Sequence, residues 1–132
     1  MSEAIIYSAT GEILRLVSAP SEMLVMQKQA GEFILFGDAN DLTDYIYQGE
    51  IVARATQPTT LNKLTLTADG IDTITLSNAP SGTFTATNTT TRETVTGAIN
   101  GTDSFLTTIQ GTYKIKIESW PYLDFEVTIN AL

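Results

Sequence analysis

The sequence predicts a mainly β protein: a small α+β module over residues 1–57, then an immunoglobulin-like antiparallel β-sandwich over residues 58–132. Three observations lead there. Residues 111–130 alternate apolar and polar side chains on both sides of Ser119-Trp120-Pro121-Tyr122. Strict alternation is the period of a strand with one buried face. About a third of residues 59–112 are threonine, which half-exposed strands favour. Turn signals recur at about ten-residue spacing between them, as in a sandwich.

The elements follow in order. Ala4-Ile5-Ile6-Tyr7 and Glu12-Ile13-Leu14-Arg15-Leu16-Val17 are β-prone and flank Ser8-Ala9-Thr10-Gly11, a set of turn residues. Pro20 and Glu22 then mark a helix start, with an acid near its positive end. The helix is short and Gly31 stops it. Its Met23 and Met26 read as core filler. Phe33-Ile34-Leu35-Phe36 is an apolar run between glycines, which predicts a strand buried on both faces. Tyr45-Ile46-Tyr47 and Glu50-Ile51-Val52-Ala53-Arg54 flank the hairpin turn Gln48-Gly49. The module therefore reads β-β-α-β-β-β.

Ala55-Thr56-Gln57-Pro58-Thr59-Thr60 is a linker by composition. Short strands are predicted at 63–67, 73–77, 83–87, 93–96 and 104–109. The turns between them include Asn78-Ala79-Pro80-Ser81-Gly82 and Asn100-Gly101. The final hairpin buries Tyr113, Ile115, Ile117, Phe125, Val127 and Ile129 in this reading. Lys114 and Lys116 then lie opposite or diagonal to Asp124 and Glu126 on the wet face, which disfavours a slipped register.

Composition narrows the function. The chain has no cysteine, which excludes disulfides and thiolate metal sites, and no histidine, the commonest general base and metal ligand. Net charge is −8, with eight acids in residues 1–58 and seven in 59–132. The seven Lys and Arg residues form no cluster, so nucleic acid is an unexpected partner. The spread acidity reads as a device for solubility. No apolar run approaches the ~18 residues of a membrane span. Residues 1–7 lack the basic and apolar regions of a secretory signal.

The residues nominate no catalytic, cofactor-binding or metal site. The loop Gly37-Asp38-Ala39-Asn40-Asp41-Leu42-Thr43-Asp44 gathers oxygen ligands that suit calcium. Its Leu42 falls where an EF-hand needs a ligand, and Asx-turns account for the same residues. Asp124 and Glu126 are two apart on one strand beside lysines, whereas a glycosidase needs acids facing each other across a cleft. Two sequons, Asn88-Thr89-Thr90 and Asn100-Gly101-Thr102, read as coincidence in a threonine-rich chain. There is no Gly-rich phosphate loop and no Gly-x-Ser-x-Gly elbow. Trp120 and Tyr122, beside Pro121 at a loop tip, are the candidate contact residues for a sugar or protein surface. The competing reading folds both rings back over the end of the sandwich.

Both halves resemble small accessory virion proteins of tailed bacteriophages. The N-terminal resemblance rests on Ile6-Tyr7-Ser8-Ala9-Thr10-Gly11-Glu12-Ile13, the Pro20-started turn, the run from Gly37 to Ile46, and Gly49-Glu50-Ile51-Val52-Ala53-Arg54. It is similar to a module at the front of tail and fibre-associated proteins. The C-terminal resemblance rests on Gly111-Thr112-Tyr113-Lys114-Ile115-Lys116-Ile117 and Trp120-Pro121-Tyr122-Leu123-Asp124-Phe125-Glu126-Val127. It is similar to the immunoglobulin-like domains common on phage surfaces. The resemblance implies a non-enzymatic virion component of the tail or fibre attachment, made in the bacterial cytoplasm. Its implied partners are other virion proteins, in several copies of a symmetric assembly, with a host surface as a further contact. It implies no cofactor and no membrane insertion. A head decoration protein and a bacterial carbohydrate- or surface-binding module are the alternatives.

Overall fold

A computed structural model describes residues 2–132. The protein is mainly β, with 54% strand and 5% helix. It divides into two compact units, one ending at Arg54 and one running Ala55–Leu132.

In the first unit, β1 (Ser2–Tyr7) is the centre of a three-stranded antiparallel sheet between β2 (Ile13–Ala19) and β3 (Phe33–Phe36). Alternation splits β1 by face: Ile5 lies on one side, Ala4 and Ile6 on the other, and all three are buried. Ile5 joins Ile13 and Ile46 in a small core, with Tyr7, Leu35 and Ala39 packed against it. A single helical turn, α1 (Ser21–Leu24), lies against β1 and β2 and buries Leu24. It continues as a 3-10 turn over Val25–Gln27. The hairpin of β4 (Asp44–Tyr47) and β5 (Glu50–Ala53) turns through Gln48 and Gly49, both at positive φ (52° and 77°). That is the backbone a two-residue hairpin turn requires.

Two expectations fail here. Met23 and Met26 are not core filler, because α1 is too short to bury more than Leu24; they are 47% and 75% exposed. The run Phe33–Phe36 is not covered on both faces either. Among the described residues β3 is an edge strand paired with β1 alone, and Phe33 and Phe36 remain 46% and 56% exposed. Four consecutive apolar residues carry no period, so sequence could not separate a central strand from a bare edge.

In the second unit the short β6 (Thr60–Leu61) and β7 (Thr65–Leu66) precede two long strands, β8 (Ile74–Asn88) and β9 (Thr94–Phe105). β10 (Gly111–Glu118) and β11 (Phe125–Ala131) follow. β8 joins what the sequence divided into strands 73–77 and 83–87. The chain does not reverse at Asn78–Pro80; it bends, with Asn78 at φ 59° and two register shifts against β9. The first part of β8 pairs with β6 and the end of β9, and its second part pairs with β10 and the start of β9. Bends of this kind let one strand pass from one sheet layer to another. β9 likewise absorbs the predicted 93–96 strand and the Asn100-Gly101 turn. It stops at Phe105, so the strand expected over 104–109 is mostly loop.

The final hairpin has the expected register: Tyr113 faces Ile129, Ile115 faces Val127 and Ile117 faces Phe125. Lys116 sits directly opposite Glu126, with its Nζ 3.6 Å from the Asp124 carboxylate. Tyr113, Ile115, Ile117 and Ile129 are buried in the core with Ile74, Leu76 and Phe105. Phe125 and Val127 are only half-buried, because β11 lies near the sheet edge and β7 covers just its last residues. Segment 55–60 is no free linker. Leu123 N–H donates to the Ala55 carbonyl at 2.8 Å, and Gln57 and Thr59 are buried.

Candidate functional site

The turn carrying Trp120 and Tyr122 joins β10 to β11 and is fastened from several sides. Ser119 is buried, and its hydroxyl donates to the Ser81 carbonyl at 2.6 Å. Its own carbonyl accepts the Tyr122 N–H at 2.7 Å. Gln57 spans the base of the turn, its Nε2 donating to the Ile117 carbonyl at 2.9 Å and the Leu123 carbonyl at 3.0 Å. Thr59 Oγ1 donates to Gln57 Oε1 at 3.0 Å, so both ends of the amide are engaged. Gly82 passes so close that a Cβ there would stand 2.2 Å from the Glu118 carbonyl oxygen. The Trp120-Pro121 peptide is cis. Trp120 is 40% exposed and Tyr122 half-buried. The structure thus brings both candidate contact residues onto one braced turn, with the indole the more accessible. Gln57 and Ser119 went unnoticed in the sequence, since a polar residue in a polar stretch gives no sign that it will be buried.

Two side-chain oxygens of the acidic loop are used within it. Asn40 Oδ1 accepts the Leu42 N–H at 2.9 Å and Asp44 Oδ2 accepts the Asn40 N–H at 2.9 Å. Among the described residues no three acids converge on a metal-sized site. Asp124 and Glu126 are both exposed on the wet face. There Thr85, Thr87, Lys114, Lys116, Glu126 and Thr128 line a shallow trough of about 530 Å³ across β8, β10 and β11. These side chains present hydroxyls, ammoniums and a carboxylate to solvent. Asn88 of the first sequon is 1% exposed, and its side-chain oxygen accepts the Thr90 and Thr91 N–H groups. It is a turn-forming residue rather than an accessible acceptor; Asn100 of the second sequon is exposed. No helix among the described residues is long and apolar enough to cross a membrane.

Two ion pairs stand out. Asp72 accepts from Lys63 Nζ at 2.6 Å and from the Thr67 N–H at 2.8 Å, which holds its carboxyl below the usual range. In the first unit Arg15 grips Glu32 with both Nη atoms, at 2.9 and 2.7 Å, and also donates to the Gln27 carbonyl. The Arg15 hydrogen bonds, helped by the Gln29 N–H, lower the Glu32 carboxyl from 4.5 to about 2. A depressed carboxyl contributes stability that is full above its unfolded value and vanishes as pH falls through its folded one. Acidification from about pH 4.5 towards 2 is therefore expected to loosen β2 and the 27–32 turn. Hydrogen exchange along that titration checks this, and Glu32→Gln should flatten the dependence.

Among the described residues, most of the exposed large apolar side chains lie before Arg54, including Leu16, Met26, Phe33, Phe36, Leu42 and Tyr47. No protein-family model, curated protein or solved structure matches this chain.

Proposed function

We propose that the chain is a non-enzymatic structural component of a tailed-bacteriophage particle, at the tail or its fibre attachment, working through protein–protein assembly. The observation that carries this reading is the imbalance in the first unit. Among its described residues Ala4, Ile5, Ile6, Ile13, Leu24 and Ile46 are buried, while ten large apolar side chains, Met26, Phe33, Phe36 and Leu42 among them, are exposed. Domains of this size barely stabilise themselves without a disulfide or metal. A unit that keeps such side chains outside is suited to be completed by a neighbour, the role of an anchor. The resemblance of both halves to phage accessory proteins supplies the setting. The partners in this reading are other virion proteins, in multiple copies.

The second unit is assigned in the same reading to an immunoglobulin-like sandwich. The parallel pairing of β7 with β11 and the bent passage of β8 support it, since both let two sheets share one chain without a break. Mass spectrometry of purified particles is expected to find the chain at fixed stoichiometry, and reconstruction to place it on the tail rather than the head. Abundance in infected cells with absence from particles would overturn the assignment. The exposed indole of Trp120 favours a second reading, a bacterial surface- or carbohydrate-binding module. Glycan binding by the purified chain that disappears in Trp120→Ala would favour that reading over the first.

A further inference from the structure

We infer that β3 pairs antiparallel with β3 of a second copy of this chain, across a two-fold axis at Ile34, to make one continuous six-stranded sheet. The inference does not depend on the virion assignment, and a dimer absent from particles would leave it intact.

The edge itself is the first argument. Natural edge strands are guarded by lysine, proline, bulges, a covering element or short length, and of these β3 has only the last, at four residues. β3 reads Phe-Ile-Leu-Phe, with no charge, no proline and no register shift against β1. α1 lies over β1 and β2. Among the described residues β3 pairs only with β1.

Hydrogen-bond parity is the second. The Gly37 N–H points inward, to the Glu3 carbonyl at 3.0 Å. By alternation Phe33 and Leu35 also direct their backbone groups to β1, and Ile34 and Phe36 direct theirs to the open edge. In an antiparallel pair, outward residues must face outward residues. Two registers then centre on the strand. Centring on Leu35 sets Glu32 opposite the partner's Asp38, a like-charge pair that costs stability. Centring on Ile34 sets Ile34 against the partner's Ile34, Phe33 against the partner's Leu35, and Glu32 against the partner's Phe36. No acid then faces an acid. Glu32 already has its charge held by Arg15 on its own chain. The acceptable register also places Phe33, 46% exposed, against the partner's apolar Leu35. Two other edge strands suit a partner less: β2 sets the charged Arg15 within the pairing, and β9 offers mainly threonine, glycine and alanine over 94–98 and bends at Gly101.

Charge adds a signature. Each copy carries −8, so two copies repel at long range and salt screens that repulsion. The dimer should tighten as salt rises, the opposite of an association driven by ion pairs. Sedimentation equilibrium on the full chain should therefore show a dimer that salt strengthens. Hydrogen exchange should show the Ile34 and Phe36 N–H groups becoming protected as concentration rises, while the Leu35 N–H is protected throughout. Phe36→Glu, which sets a second acid opposite the partner's Glu32, should weaken the dimer at least about tenfold. Phe36→Lys should not. Ile34→Pro removes an outward N–H without touching the β1 ladder, and should also give a monomer. A chain that stays monomeric up to millimolar concentration in high salt overturns the proposal. So does a dimer in which the Ile34 and Phe36 amides exchange as fast as in the monomer.

Discussion

Ile117→Ala is expected to cost roughly 2–5 kcal/mol, near the top of that range. Ile117 is 0% exposed and stands in register between Phe84 of β8 and Phe125 of β11. Removing three carbons there leaves a void that two ladders hold open, because neither flanking strand can close in without breaking its own hydrogen bonds. For a domain of this size each kcal/mol shifts the melting midpoint by about 4–8 °C, so a fall of at least roughly 10 °C should be seen. Lys116→Ala, one residue away on the wet face, should stay within about 0.5 kcal/mol. Urea melts of the two variants check the pair. Equal effects would mean that the core face of β10 is not the one described.

Gly11→Ala is expected to unfold the first unit and spare the second. Gly11 sits at φ 89°, a conformation that costs an L-residue about 1–2 kcal/mol. Its carbonyl accepts the Ile46 N–H at 2.9 Å, and a Cβ would stand 2.1 Å from the Ile46 carbonyl oxygen. The clash is with backbone, so no side chain can swing aside. The β4–β5 hairpin would have to leave β1 and β2, taking Ile46 out of the small core with Ile5 and Ile13. A unit of this size has only about 3–5 kcal/mol in reserve. Amides up to residue 54 should lose protection from hydrogen exchange while those of β8 and β10 keep theirs. Unchanged protection of Ile5 would contradict the close approach.

The contrast between these two sites shows what the sequence could reveal. Ile117 was legible because Tyr113, Ile115 and Ile117 alternate with Lys114, Lys116 and Glu118, and that period sets the buried face. Gly11 was legible as a turn residue, but nothing local says that its turn leans on Ile46. Pro80 and Gly82 read as punctuation, yet they belong to one bent strand, because proline and glycine mark bends as readily as reversals. Of the candidate site, the Trp120 turn was visible in its aromatics. Its brace, Gln57, lies sixty residues before the Ile117 carbonyl that it grips, and no short-range pattern encodes such a bond.

The parallel pairing of β7 and β11 has a mechanical meaning. The bonds that join the two segments include those from Asn130 N–H to Leu64, Leu132 N–H to Leu66 and Ala68 N–H to Leu132, at 3.0, 2.9 and 2.9 Å. Because the strands run the same way, tension that draws Leu64 and Leu132 apart loads these bonds together, along the strands rather than across them. An antiparallel closure pulled from one end would surrender its bonds one by one, like a zip. This closure works instead as a lap joint, which yields only when the whole overlap slides.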